Sequence, residues 1–257
     1  MPIDEIFPHP LVKQVIFQVR FPNLFFLESR IGEFQVGVMA EFPESALVLQ
    51  RHFVIAHGDP KSLSDAMEGS TKDSIDKVWQ FSSPDGVELN LTSTSLSITS
   101  ERHKTYNLGE NDRFRDTIES VCNKFLDVAK IPLFTRVGLR YLNDCPIPDK
   151  TTVKFEEFYN SALPLARFKL ESAVEMNSLA VVEEDTHGLR YREVFASGEK
   201  NSYRLDIDAW SEKVDAAEVM PTTDRLHEVI SNTFESSIKQ PVLEIMRGKH
   251  SVSQQND

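Results

Sequence analysis

Cysteine is nearly missing from this chain: Cys122 and Cys145 are the only two. The first falls in a helical pattern and the second in a proline-bounded turn, so nothing resembles the stapled framework of a small secreted domain. Glycine is scarce too, 10 residues in 257. No G-x-G-x-x-G or G-x-x-x-x-G-K-[ST] occurs, which removes the usual phosphate-cradling loops. No G-x-S-x-G elbow is present and neither cysteine has an activating context, so nucleophilic catalysis has no foothold. The seven histidines (His9, His52, His57, His103, His187, His227 and His250) include no pair at helical i,i+4 spacing. His52, His57 and Asp59 form the one local cluster, read as surface loop residues because a ligand set needs a scaffold to fix it. No catalytic residue, metal or cofactor is therefore expected.

Long apolar runs are lacking as well. No stretch approaches the ~18 to 20 residues of a spanning helix, and the Pro-rich start shows no basic region followed by an apolar core. The simplest expectation is a soluble, cytoplasmic protein with no membrane partner. Positive charge is also in deficit: 28 Lys and Arg against 40 Asp and Glu give a net charge of −12. Such a field repels phosphate backbones and anionic lipid, so direct nucleic-acid binding is disfavoured.

What is present is ordinary globular material, 40% hydrophobic and 26% charged. Leu11 to Phe21 alternates Val15, Phe17, Val19 and Phe21 against Gln14, Gln18 and Arg20, a half-buried strand. Leu27, Ile31, Phe34 and Val38 recur at helical spacing until Pro43. Residues 44–75 read mainly as loop, with a strand possible from Leu47 to Ile55. Strands follow at 78–81, 87–91 and 95–99, the first two joined by Ser83-Pro-Asp-Gly86. A helix spans 112–130, with Asn111 or Asp112 at its N-cap.

The second half repeats this order: a strand at 133–143, a short helix around Phe155 to Ser161, and strands near 166–176, 179–184, 189–196 and 201–210. A helix capped by Thr222 or Thr223 then carries Leu226, Ile230, Phe234 and Ile238. The class is α+β: a mostly antiparallel sheet with helices on one face. Its organisation is two similar halves, residues 1–131 and 132–246, and a disordered tail, 247–257.

The most suggestive stretch is Phe134-Thr-Arg-Val-Gly-Leu-Arg-Tyr-Leu-Asn143. As a strand it sets Arg136, Gly138 and Arg140 on one face and Val137, Leu139 and Tyr141 on the other. The segment Tyr203 to Trp210 similarly places Arg204, Asp206, Asp208 and Trp210 together. The leading expectation is that Arg136 and Arg140 pair with Asp206 and Asp208 across neighbouring strands. The alternative is a ligand site in which the arginines hold an anion over bare Gly138 and a carboxylate holds metal or a hydroxyl. Trp79, Phe81, Tyr141, Phe168, Tyr191, Tyr203 and Trp210 form no stacking platform, and core packing is expected for most.

The N-terminal Val15-Ile-Phe-Gln-Val-Arg-Phe strand, Trp79-x-Phe81, Arg136-x-Gly-Leu-Arg-Tyr-Leu-Asn143, Tyr203-x-Leu-Asp-Ile-Asp208 and Phe234-Glu-Ser-Ser-Ile238 occur in order. Together they resemble a sporadically distributed bacterial family of proteins of this length with no assigned activity. The central Arg-x-Gly-Leu-Arg-Tyr motif is the most specific part. The resemblance implies an accessory gene of the kind found in mobile or defence-associated loci, and supplies no catalytic residue. The function expected is thus a non-enzymatic interaction protein or accessory subunit in a defence or toxin–antitoxin-like locus. Its partner would be a neighbouring gene's product or a second copy. The alternative is a sensor or metal-assisted enzyme for a phosphate or carboxylate ligand, built on Arg136, Gly138, Arg140, Asp206 and Asp208.

Overall fold

The computed structural model describes residues 5–51, 75–110, 113–147 and 149–249. Strict alternation produces the first strand, β1 (Val12–Arg20), in which Val15, Phe17 and Val19 are buried and Lys13 and Arg20 exposed. Helix α1 (Leu27–Val38) follows, burying Leu27, Phe34 and Val38. A meander of β2 (Glu44–Arg51), β3 (Ile75–Ser82), β4 (Val87–Leu91) and β5 (Ser95–Ser100) comes next, then α2 (Phe114–Ala129). The second half runs β6 (Leu133–Cys145), α3 (Thr152–Phe158), β7 (Glu175–Glu183), β8 (Gly188–Ala196), β9 (Ser202–Asp215), α4 (Val219–Ser237) and α5 (Gln240–Met246).

The nine strands among the described residues join one antiparallel sheet in the order β2-β3-β4-β5-β1-β6-β9-β8-β7. In each half the last strand of the meander returns beside the half's first strand, and β1 pairs β6 at the middle. There Phe17 faces Leu139 and Val19 faces Val137.

The helices cover one face. A large hydrophobic cluster joins Phe17, Leu89 and Phe125 to Leu139, Ile207, Ala209, Leu226 and Ile230, so it draws on both halves. Phe125 stacks on Phe21 at 4.9 Å and meets Phe34 edge-on at 6.2 Å, which seats α1 and α2 together on the sheet. A second cluster, around Phe155, Tyr159, Tyr203 and Val242, lies under α3 and α5. The opposite face of the sheet has no helix on it among the described residues. There the alternating positions of the central strands are Gln14, Ile16, Gln18 and Arg20, then Arg136, Gly138 and Arg140, then Asp206, Asp208 and Trp210.

Several boundaries differ from the sequence reading. Part of 44–75 is sheet: β2 and the start of β3 occupy its two ends, while 52–74, with His52, His57 and Asp59, lies outside the described residues. No strand forms over 166–174, and β7 begins only at Glu175. Glu171 instead accepts from the Thr152 backbone N and hydroxyl at 3.1 and 2.8 Å, and Leu170 N donates to the same hydroxyl at 2.9 Å. These local bonds take the place of a ladder and leave a single 3-10 turn at Leu170–Ser172. The short helix begins earlier than Phe155, because Thr151 caps it by accepting from Lys154 N.

Helix α2 starts after Arg113, with no side-chain cap; Asn111 and Asp112 are outside the described residues. Thr222 and Thr223 are inside the first turns of α4 rather than capping it, and Thr223 donates its hydroxyl to Val219 O. The tail is not free from its first residue. Arg247 pairs with Glu5, and His9 N donates to Met246 O at 3.1 Å. No helix among the described residues is long and apolar enough to cross a membrane.

Candidate functional site: an arginine cleft on the open sheet face

Register brings the two charged motifs together. On adjacent β6 and β9, Arg140 stands opposite Asp208, and Leu142 opposite Asp206. Arg140 reaches diagonally to Asp206 in a bidentate pair, Nε to Oδ1 and Nη2 to Oδ2, both 2.7 Å. Asp206 is buried, its side chain only 7% exposed. Hydrogen bonding to this carboxylate raises the Arg140 pKa. This rung matches the expected ion pair.

The second rung is looser. Arg136 offers only Nη2 to Asp208, at 3.4 and 3.3 Å from its two oxygens. Burial pushes the Arg136 pKa down, and the guanidinium of Arg20 pushes the same way against the pull of Asp208. Burial likewise pushes the Asp208 carboxyl up, ahead of the lowering by Arg136 and Arg140. Both partners are thus held in an environment that disfavours their charge.

Glycine explains the shape of this row. Gly138 and Gly188 flank Trp210 on the two neighbouring strands. A Cβ on Gly138 would lie 2.6 Å from Arg136 Nη1, so the space over its backbone is already filled by the Arg136 side chain. The guanidinium sits over the Trp210 ring, 5.2 Å from its centroid. A Cβ on Gly188 would lie 2.3 Å from both Cε2 and Cζ2 of the indole. Gly188→Ala should therefore push the ring off the sheet, cost roughly 1–3 kcal/mol and undo the Arg136 stack. Urea unfolding and Trp210 fluorescence would register both.

The sequence reading missed Arg20 and Arg190. Arg20 is the register partner of Arg136, and Arg190 is that of Asp208. With Arg136, Arg140, Asp208 and Trp210 they line an open cleft of about 500 Å³. Arg20 donates to Gln18 Oε1 at 3.1 Å, and neither Arg20 nor Arg190 has a carboxylate within ion-pair distance among the described residues, although Arg190 attracts the Asp208 carboxylate from the neighbouring strand. Four guanidinium groups thus meet two carboxylates, Asp206 and Asp208. Glu212, opposite Arg136 in register, adds a weaker attraction. Alternation had marked Arg20 as facing the polar side; that it would meet Arg136 depended on a strand pairing between the halves.

Other sequence candidates separate. Tyr203 and Phe81 pack in the core as expected, whereas Phe168 is 54% exposed and Trp210 belongs to the cleft. Both cysteines are buried, and burial pushes the Cys122 thiol up to about 12. No group of three His, Cys, Asp or Glu able to hold a metal occurs among the described residues. No protein-family model matches this chain, and no curated protein matches it.

Proposed function

We propose that this chain is a binding protein whose open sheet face takes an oxyanion, a phosphate or carboxylate group, in the cleft formed by Arg20, Arg136, Arg140 and Arg190. The carrying observation is Arg136: a largely buried guanidinium with one loose carboxylate contact and a second arginine beside it. An oxyanion bridging Arg136, Arg20 and Arg190 would supply the charge that Asp208 leaves incomplete. The cleft is polar and open, which suits a solvated anionic group better than an apolar body.

The test is thermal unfolding with inorganic phosphate or citrate at millimolar concentration, at constant ionic strength. Binding to the folded state alone raises the melting temperature. Arg190→Ala and Arg20→Ala, both on exposed side chains, should each weaken the effect about tenfold while leaving the unliganded protein folded. No shift with either anion would defeat the small-ligand reading.

A second reading rests on the edge beside the cleft. Strand β7 ends the sheet, and Leu179 and Val181 are 56% and 54% exposed on it. Val181 also lines the cleft with Arg190. An acidic extended segment of a partner protein could add to this edge and reach the arginines with a carboxylate. This is the accessory-subunit role that the family resemblance implies, with a neighbouring gene's product as partner. Co-purification that is lost in Arg190→Glu, with no response to free anions, would favour it.

A further inference from the structure

The sheet ends on one side in β2, and no further strand pairs with its outer edge among the described residues. Edge strands in native proteins are ordinarily blunted by a charge, a proline or a bulge. Here residues 45–50 carry neither charge nor proline, and the register with β3 is unbroken from Glu44 to Arg51. Leu47 and Leu49 are 57% and 59% exposed on the side of the strand that faces α1, and Val48 is exposed on the other side.

Helix α1 runs along this edge in the opposite direction to β2. Lys77, the register partner of Leu49, forms an ion pair with Glu28 near the start of the helix. Ser45, nearer the beginning of the strand, accepts from Gln35 Nε2 at 3.0 Å near the helix end. These two contacts place Phe25 toward the Leu49 end of the edge, and Val36 and Met39 toward the Ser45 end. All three are exposed, Phe25 by 88%. Gly32, between them in sequence, has open space where a Cβ would stand, so another chain can approach closely there.

We propose that β2 is the interface of a symmetric dimer, in which β2 of a second copy adds antiparallel to it about a two-fold axis through Val48. In this register Val48 faces its own copy, and Leu47 and Leu49 face Leu49 and Leu47 of the partner. An axis normal to the sheet leaves its faces unchanged, so both α1 helices lie on the same side. It also reverses the edge, which brings Phe25 of one copy opposite Val36 and Met39 of the other. No charge meets its like across residues 45–49. The six exposed side chains present on the order of 600 Å² of apolar surface per chain, so two copies would bury about 1,200 Å², the lower end for a stable interface. A row of main-chain hydrogen bonds adds to this. Because each copy uses the same edge, assembly closes at two. The cleft lies toward the other end of the sheet, beside β7, and stays free.

Sedimentation equilibrium of the full chain at micromolar concentration should give twice the 29.3 kDa chain mass. Val48→Lys sets two ammonium groups face to face at the axis. It should weaken dimerisation at least tenfold while leaving circular dichroism unchanged. Val48→Cys, oxidised with diamide, should cross-link two copies, since Cα atoms paired across the axis stand about 5 Å apart. The wild type, whose two cysteines are buried, is the blank. Val182→Cys, on the exposed β7 edge, should not cross-link. A wild-type monomer, a dimer as tight with Val48→Lys, or cross-linking through Val182→Cys and not Val48→Cys would overturn the proposal.

Discussion

Replacing Asp206 by alanine should lower the stability of the folded chain by about 2–3 kcal/mol. The carboxylate is buried and accepts both hydrogen bonds of the bidentate pair from Arg140. Removing one partner of a buried pair leaves the other charge uncompensated, an effect of roughly 3–5 kcal/mol when both are dry. Here the Arg140 side chain is 39% exposed, so water recovers part of that cost and the expected value falls below the range.

Urea unfolding with an unchanged slope would measure it. The double variant Asp206→Ala with Arg140→Met should recover most of the loss, because no unpaired guanidinium remains. Asp208→Ala should cost less, since its bonds to Arg136 are long and Arg136 keeps its contact with Trp210. A loss below about 0.5 kcal/mol for Asp206→Ala, the scatter of ordinary surface changes, would mean that the bidentate pair contributes nothing.

Acid should weaken the fold through His227. Burial pushes its imidazole down to about 4, against a smaller opposing pull from Asp224. The stacked Tyr106 ring and the Tyr141 and Ser231 hydroxyls complete its surroundings. The unfolded chain takes up this proton near pH 6.5, whereas the folded chain resists it until about pH 4. As pH falls through this window the unfolded state gains protons and the folded state does not, so stability falls with pH and levels off below about 4. The span corresponds to about 3 kcal/mol.

Asp208, whose carboxyl is pushed up, contributes with the opposite sign at the acid end. Comparing the wild type with His227→Gln cancels that term. The variant should lose much less stability between pH 7 and pH 4.5 than the wild type. Parallel pH profiles would rule out a buried neutral imidazole as the source.

How far the fold could be read depended on whether the signal was local. Alternation in β1, β6 and β9 assigned faces correctly, and the helical stripe of Phe114, Ile118, Val121, Phe125 and Val128 is the buried face of α2. The pairing of Arg136 and Arg140 with Asp206 and Asp208 followed from sign and spacing alone. Misreadings came where side chains bind the backbone, as at Thr152 and Glu171, because composition cannot distinguish an apolar coil such as Leu163 to Leu170 from a strand.

Gly138 looked like an opening over the backbone; it is the place where Arg136 lies. Arg20 and Arg190 joined the cleft through strand pairings that no short motif encodes. A cavity on the helix side had no linear signature, since Phe7, Tyr106, Asn143 and His227 meet only after both halves have folded.

The large cluster on the helix face has a consequence for how the chain is made. Ile207, Ala209, Leu226 and Ile230 complete a core begun by Phe17, Leu89 and Phe125, and β1 finds its inner neighbour only in β6. An emerging first half therefore carries an apolar surface and an unpaired strand edge that nothing covers until the second half has been synthesised. Contacts so distant along the chain slow folding and prolong that exposure. Shielding by a ribosome-bound chaperone would matter most during synthesis of the last third of the chain, and the finished molecule should then melt as one cooperative unit.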